Sequence, residues 1–132
     1  MVNRTMSRPA TPVLLYDEGQ ASSLDALAAS VGIFAAGRFE LLYASDLDSL
    51  RQMAGELAGA HAEALVVVDA DYTAEPKDLL ANAADMGFPL VVLSDGRDDA
   101  IHDHALSVGA AAYLLSELPA RALVDRLEAL SS

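Results

Sequence analysis

Five short apolar runs punctuate the chain. Each is followed by a stretch in which apolar residues return every three or four positions. Val13-Leu14-Leu15-Tyr16 comes first, followed by Leu24, Leu27, Ala28 and Val31, which share one face of a helix. Gly37 ends that connection, and Phe39 to Tyr43 reads as a second strand. Ser45 or Asp46 can cap the next helix, whose inner face carries Leu47, Leu50, Ala54 and Leu57 before Gly59 closes it. The third strand, Leu65 to Asp69, is almost wholly Val and Leu, as a strand covered on both faces requires. Pro76 can start a helix with Leu79, Leu80 and Ala83 inward and Gly87 as its stop. Leu90 to Leu93 is the fourth strand, and a helix from about Asp98 to Val108 runs to Gly109. Ala111 to Leu115 is the fifth strand, and Glu117 to Leu130 the last helix, with Pro119 in its first turn. Strict alternation of strand and helix predicts an α/β domain, a parallel sheet between helical layers.

At 132 residues the chain has the length of one domain with one substantial core, placed at residues 12–131. Residues 1–11 are polar, lack the apolar centre of a signal peptide and read as a disordered tail of a cytoplasmic protein. No apolar stretch approaches the roughly 20 residues of a membrane span, so no membrane insertion is expected. Cysteine is absent, which excludes thiol catalysis, disulfides and zinc-thiolate sites. Twenty acids against eight bases give a net charge of −12, which phosphate backbones would repel. Direct nucleic-acid binding is therefore not expected, whereas basic protein surfaces and divalent cations suit this charge.

Acids stand where the strands end. Asp17-Glu18 follows the first run and Asp69 ends the third, so the three carboxylates are expected at one edge of the sheet, where open α/β folds place their chemistry. Ser94 follows the fourth strand, Gly109-Ala110 precedes the fifth, and Tyr113 lies within it. In this order the set resembles the receiver domain, the phosphoaccepting module of bacterial response regulators and hybrid histidine kinases, over residues 12–130. The resemblance implies a flavodoxin-like three-layer (βα)5 sandwich with strand order 2-1-3-4-5. It implies Asp69 as phosphoacceptor, Ser94 as the hydroxyl beside it, and Tyr113 as the aromatic that switches rotamer. A Mg²⁺ ion is implied at Asp17, Glu18 and Asp69, with a backbone carbonyl from Asp71. Its partners would be a histidine kinase or another signalling protein, with a second copy of the chain as a further candidate. The partner face of receivers, formed by the fourth helix, fifth strand and fifth helix, would here include Tyr113, Leu118, Arg121 and Val124.

The chain departs from that pattern at two places that bear on the chemistry. The receiver lysine falls three residues after the aromatic, and Ser116 stands there. A serine offers one neutral hydrogen bond, roughly half the strength of a charge-assisted one, and no positive charge. Asp95 follows Ser94 where receivers favour a small residue. The one lysine of the chain, Lys77, lies in the third loop and reads as a solvated helix-start residue. These residues admit three functional readings: a degenerate receiver that signals by docking, a competent phosphoacceptor using Asp69 with Mg²⁺, and a pseudo-receiver that senses a small ligand such as a nucleotide second messenger, with Arg97 near the edge. The first is favoured, and enzymatic activity is at most autophosphorylation at Asp69. His102 and His104 sit two apart on a helix, where side chains do not face each other, and read as surface residues. Nucleophile-elbow and phosphate-loop motifs are missing.

Overall fold

The computed structural model describes residues 10–19, 22–60 and 62–131. Its elements run β1 (Thr11–Tyr16), α1 (Ser22–Phe34), β2 (Phe39–Ala44), α2 (Leu47–Gly59), β3 (Leu65–Asp69), α3 (Pro76–Ala84), β4 (Leu90–Ser94), α4 (Asp99–Ser107), β5 (Ala112–Leu115) and α5 (Ala120–Ser131). The sheet is parallel throughout, in the order β2-β1-β3-β4-β5. The expected fold class therefore stands.

Side-chain alternation sorts the core into two layers. Val13 and Leu15 of β1, Leu65 and Val67 of β3, and Val91 and Leu93 of β4 pack against α1 and α5. Their neighbours Leu14 and Tyr16, Val66 and Val68, and Leu90 and Val92 pack against α2, α3 and α4. Val66, Val67 and Val68 are fully buried, each side chain contributing about 1.5–3 kcal/mol of hydrophobic stabilisation. This is why β3 reads as an unbroken apolar run rather than an alternating one.

Helix boundaries follow local chemistry. Asp46, one of the two expected caps, accepts the Ser49 amide at 2.7 Å and starts α2. That bond holds its carboxyl below the usual carboxylate range. Pro76 begins α3 as expected. Asp98 caps α4 by accepting the Ala100 amide at 2.9 Å.

Two expectations need correction. Thr11, assigned to the tail, is the first residue of β1 and pairs in register with Phe39; residues 1–9 lie outside the described residues. The last helix begins at Ala120, not Glu117. Pro119 precedes it and supplies a carbonyl to the Leu123 amide, a role that needs no N–H from proline. A short 3-10 turn over Ala70–Tyr72, unforeseen from the sequence, follows β3 directly.

Candidate functional site

Strand order reverses about β1 and β3, which lie side by side with their crossovers leading in opposite directions. Such a switch point opens a crevice beyond the carboxyl ends of the strands. Asp17 and Glu18 follow β1 there, Asp69 closes β3 and Ser94 closes β4. Asp69 and Ser94 are buried, at 3% and 0% exposure, whereas Glu18 and Asp71 are exposed and Asp17 and Asp95 half-buried. The fold thus brings the sequence-identified carboxylates and hydroxyl to one edge.

At that edge the carboxylates point to different partners. Asp17 Oδ1 accepts the Gly19 amide at 2.7 Å, a local turn contact. Glu18 takes the Tyr16 hydroxyl on Oε2 at 2.6 Å and the Ala74 amide on Oε1 at 3.2 Å. Burial, then the bond to Glu18 and the charges of Glu18 and Asp46, push the Tyr16 phenol well above its ordinary value. Asp69 Oδ1 accepts the Asp71 amide at 2.9 Å, which sets the start of the 3-10 turn.

The Asp71 side chain crosses to β4. Its Oδ1 accepts the Ser94 hydroxyl at 3.2 Å and its Oδ2 accepts the Asp95 amide at 2.7 Å. Sequence reasoning assigned Asp71 a backbone role and missed this one. The only signal available was an acid two residues beyond Asp69, and its direction is set by the tight turn that no sequence pattern announced. From Ser94 the contacts continue along the loop: the Gly96 amide donates to Ser94 Oγ at 3.2 Å, and the Arg97 amide to Asp95 Oδ1 at 2.9 Å. Gly96 has φ +81°, and a Cβ there would lie 2.7 Å from Leu115 Cδ2. The positive φ is what calls for glycine; the Leu115 tip belongs to an exposed, flexible side chain that can shift aside.

The carboxylates expected at a Mg²⁺ ion, Asp17, Glu18 and Asp69, are engaged with protein donors. Asp17, Glu18, Asp69 and Asp71 share an edge, yet each turns to a separate amide or hydroxyl donor. Among the described residues no three His, Asp or Glu side chains form a group that could hold a metal ion.

At the position compared with the receiver lysine, the chain carries Ser116. Ser116 is half-buried, and its amide donates to the Ser94 carbonyl at 2.8 Å, extending the β4–β5 ladder past Leu115. The Ser116 side chain is neutral. Arg97 is exposed, with its Nε 3.5 Å from Asp95 Oδ2, so its charge faces Asp95. Lys77 is exposed at the start of α3, where its carbonyl meets His104 Nε2 at 2.9 Å.

The residues expected on the partner face differ in exposure. Tyr113 is half-buried under α4, its ring meeting His102 edge-on with centroids 4.9 Å apart. Its hydroxyl is buried and has no hydrogen-bond partner among the described residues. Leu118 is 36% exposed. Arg121 turns away toward α1, with its guanidinium 5.6 Å from the centre of the Phe34 ring. Val124 must be removed from that face. It is fully buried with Leu123 and Leu127, because spacing of three and four on α5 turns all three toward the sheet. His102 and His104 also part company, one toward Tyr113 and the other toward α3.

No protein-family model matches the chain, and no curated protein matches its sequence. Solved structures do. A response-regulator receiver domain protein from Methanospirillum hungatei JF-1 superposes with a TM-score of 0.68 at 17% identity, covering 91% of this chain and 92% of its own. A response regulator from Thermotoga maritima gives 0.68 at 20% identity, over 92% of this chain and 97% of its own. A Burkholderia pseudomallei response regulator, solved with a phosphorylated aspartic acid, calcium ion and citrate, gives 0.65 at 17% identity. It is covered over 66% of its length, against 92% of this chain. No helix among the described residues is long and apolar enough to cross a membrane. The chain thus has the fold of a response-regulator receiver domain.

Proposed function

We propose that this chain is a receiver-like domain of two-component signalling that acts by docking to other signalling proteins, with Asp69 no longer an efficient phosphoacceptor. The observation that carries this reading is the neutral Ser116 on the ladder beside Ser94, in an edge whose carboxylates are committed to separate donors. Transfer of a phosphoryl group to a carboxylate rests on positioning and on positive charge that offsets the developing negative charge. Here the Arg97 guanidinium faces Asp95, and Asp17 and Glu18 follow β1 at the same edge as Asp69.

What remains is a surface. Tyr113 and Leu118 lie on the side of the fold that receivers present to partners, and Leu115 and Leu106 add exposed apolar area at 43% and 58%. A scaffold that keeps this face while losing its charge-compensating groups suits a docking role. A histidine kinase or a related signalling protein is the partner class, and a cytoplasmic setting follows from that partner.

Incubation with acetyl phosphate and Mg²⁺, followed by intact mass measurement, tests the phosphoryl half. The mass is expected to stay unchanged; gain of one phosphoryl group, abolished by Asp69→Asn, would overturn the reading. Calorimetric titration with a histidine-kinase dimerisation domain tests the docking half. Binding should survive Asp69→Asn and weaken with Leu118→Asp.

A further inference from the structure

The Ser94 hydroxyl and the Asp95 amide converge on one carboxylate, that of Asp71, at 3.2 and 2.7 Å. Two donors from adjacent residues, one on each oxygen, form a seat for an oxyanion rather than for a neutral group. The same residue's own amide is tied to buried Asp69 at 2.9 Å, so the seat opens directly beside the Asp69 carboxylate. We infer that Asp71 is a built-in oxyanion: it fills a seat that would otherwise accept an external carboxylate or phosphoryl oxygen, and it thereby clamps the turn after β4.

Three physical points support this assignment. The two oxygens of a carboxylate span a bite similar to two oxygens of a phosphoryl group, so donors arranged for one suit the other. Bonds from an amide or hydroxyl to an ionised oxygen are stronger than neutral ones, and an internal ligand forms them without the entropy cost of association. The contact also anchors the loop into α4. Ser94 Oγ in turn receives the Gly96 amide, and Asp95 Oδ1 receives the Arg97 amide, so this loop is ordered from Asp71 outward. Asp71 itself is exposed, and truncating it would leave the two donors open to solutes.

This inference deepens the docking reading and takes its meaning from it, since an occupied seat leaves Asp69 no place to hold a transferred group. Its test is separate. The Asp95 amide is followed by nuclear magnetic resonance in wild type, Asp71→Ala and Asp71→Asn while sodium formate is titrated at constant ionic strength. Formate is the carboxylate that the alanine substitution removes.

In Asp71→Ala the Asp95 amide proton should move upfield, and its hydrogen exchange should quicken by at least about tenfold, as loss of a charge-assisted bond dictates. Formate should return both toward wild-type values along a saturable curve. Wild type should not respond at Asp95. Neither should Asp71→Asn, whose side chain still fills the seat and keeps one acceptor. The inference is overturned if the Asp95 amide is unchanged in Asp71→Ala. It is equally overturned if formate fails to restore the amide, or if wild type responds with the same saturation. None of these outcomes bears on whether acetyl phosphate modifies Asp69, so the two readings fail independently.

Discussion

The Tyr16 hydroxyl donates to Glu18 Oε2 at 2.6 Å, and the other oxygen of the same carboxylate accepts the Ala74 amide at 3.2 Å. One residue at the end of β1 is thereby tied to its own strand and to the segment leading into α3. Tyr16 is buried and its phenol is held protonated above its ordinary value, by burial first and then by Glu18. A raised folded-state value means that this contribution is fully present below the unfolded tyrosine value of about 10. It is lost as pH rises beyond that point, because the unfolded phenol ionises while the folded one resists. Chemical denaturation between neutral and strongly alkaline pH should show this fall, and Tyr16→Phe should remove that component. At neutral pH the same substitution should cost about 1.5–3 kcal/mol, the worth of a bond to a charged acceptor.

Asp46 gives the opposite sign. The Ser49 amide lowers its carboxyl below the ordinary value, so its contribution is present above the unfolded value of about 3.9. It is lost as pH falls through the folded value. Asp46→Ala should therefore lower the thermal midpoint at pH 7, with the difference from wild type shrinking in acid. A difference that persisted unchanged at the lowest pH would show that the cap bond does not depend on the ionised carboxylate.

Tyr113 carries a buried hydroxyl with no partner among the described residues, which costs about 1–3 kcal/mol relative to a satisfied group. Tyr113→Phe keeps the ring on His102 and removes that cost. Stability should rise by about 1 kcal/mol, read as a higher urea midpoint at unchanged slope. A loss of stability would mean that the hydroxyl has a partner.

Ser116→Lys returns an ammonium to the position beside Ser94. By itself it should not create a phosphoryl response, because the Asp71 carboxylate still holds the Ser94 and Asp95 donors. Combined with Asp71→Ala it should. Binding of beryllofluoride with Mg²⁺, measured by amide shifts, distinguishes the two variants; an equal response in both would show that Asp71 is no obstacle.

Much of this fold is legible in the chain because burial on both faces writes strands as apolar runs and burial on one face writes helices as a three-four spacing. Leu65 to Asp69 and the pair Leu79-Leu80 are read correctly for that reason. Asp17, Glu18, Asp69 and Ser94 are legible as neighbours at one edge because strand ends of a parallel sheet share it. Side-chain direction is not written in the same way. Asp71 folds onto β4 through a 3-10 turn whose residues carry no periodic signal, and Glu18 is captured by a tyrosine two residues earlier. Val124 reads as interface from the sequence because the resemblance puts its helix at the partner face, but the inward arc of α5 is wide enough to include it.

We propose that Asp69 no longer holds a phosphoryl group efficiently, because Ser116 is neutral and Asp71 holds the Ser94 and Asp95 donors. The most direct test is one amide-resolved titration of the wild-type chain, with Mg²⁺ first and beryllofluoride second. The account expects no saturable, metal-dependent shifts at Asp69 and Ser94, and none transmitted to Tyr113. Shifts that require both additions, reach Tyr113 and vanish in Asp69→Asn would contradict it.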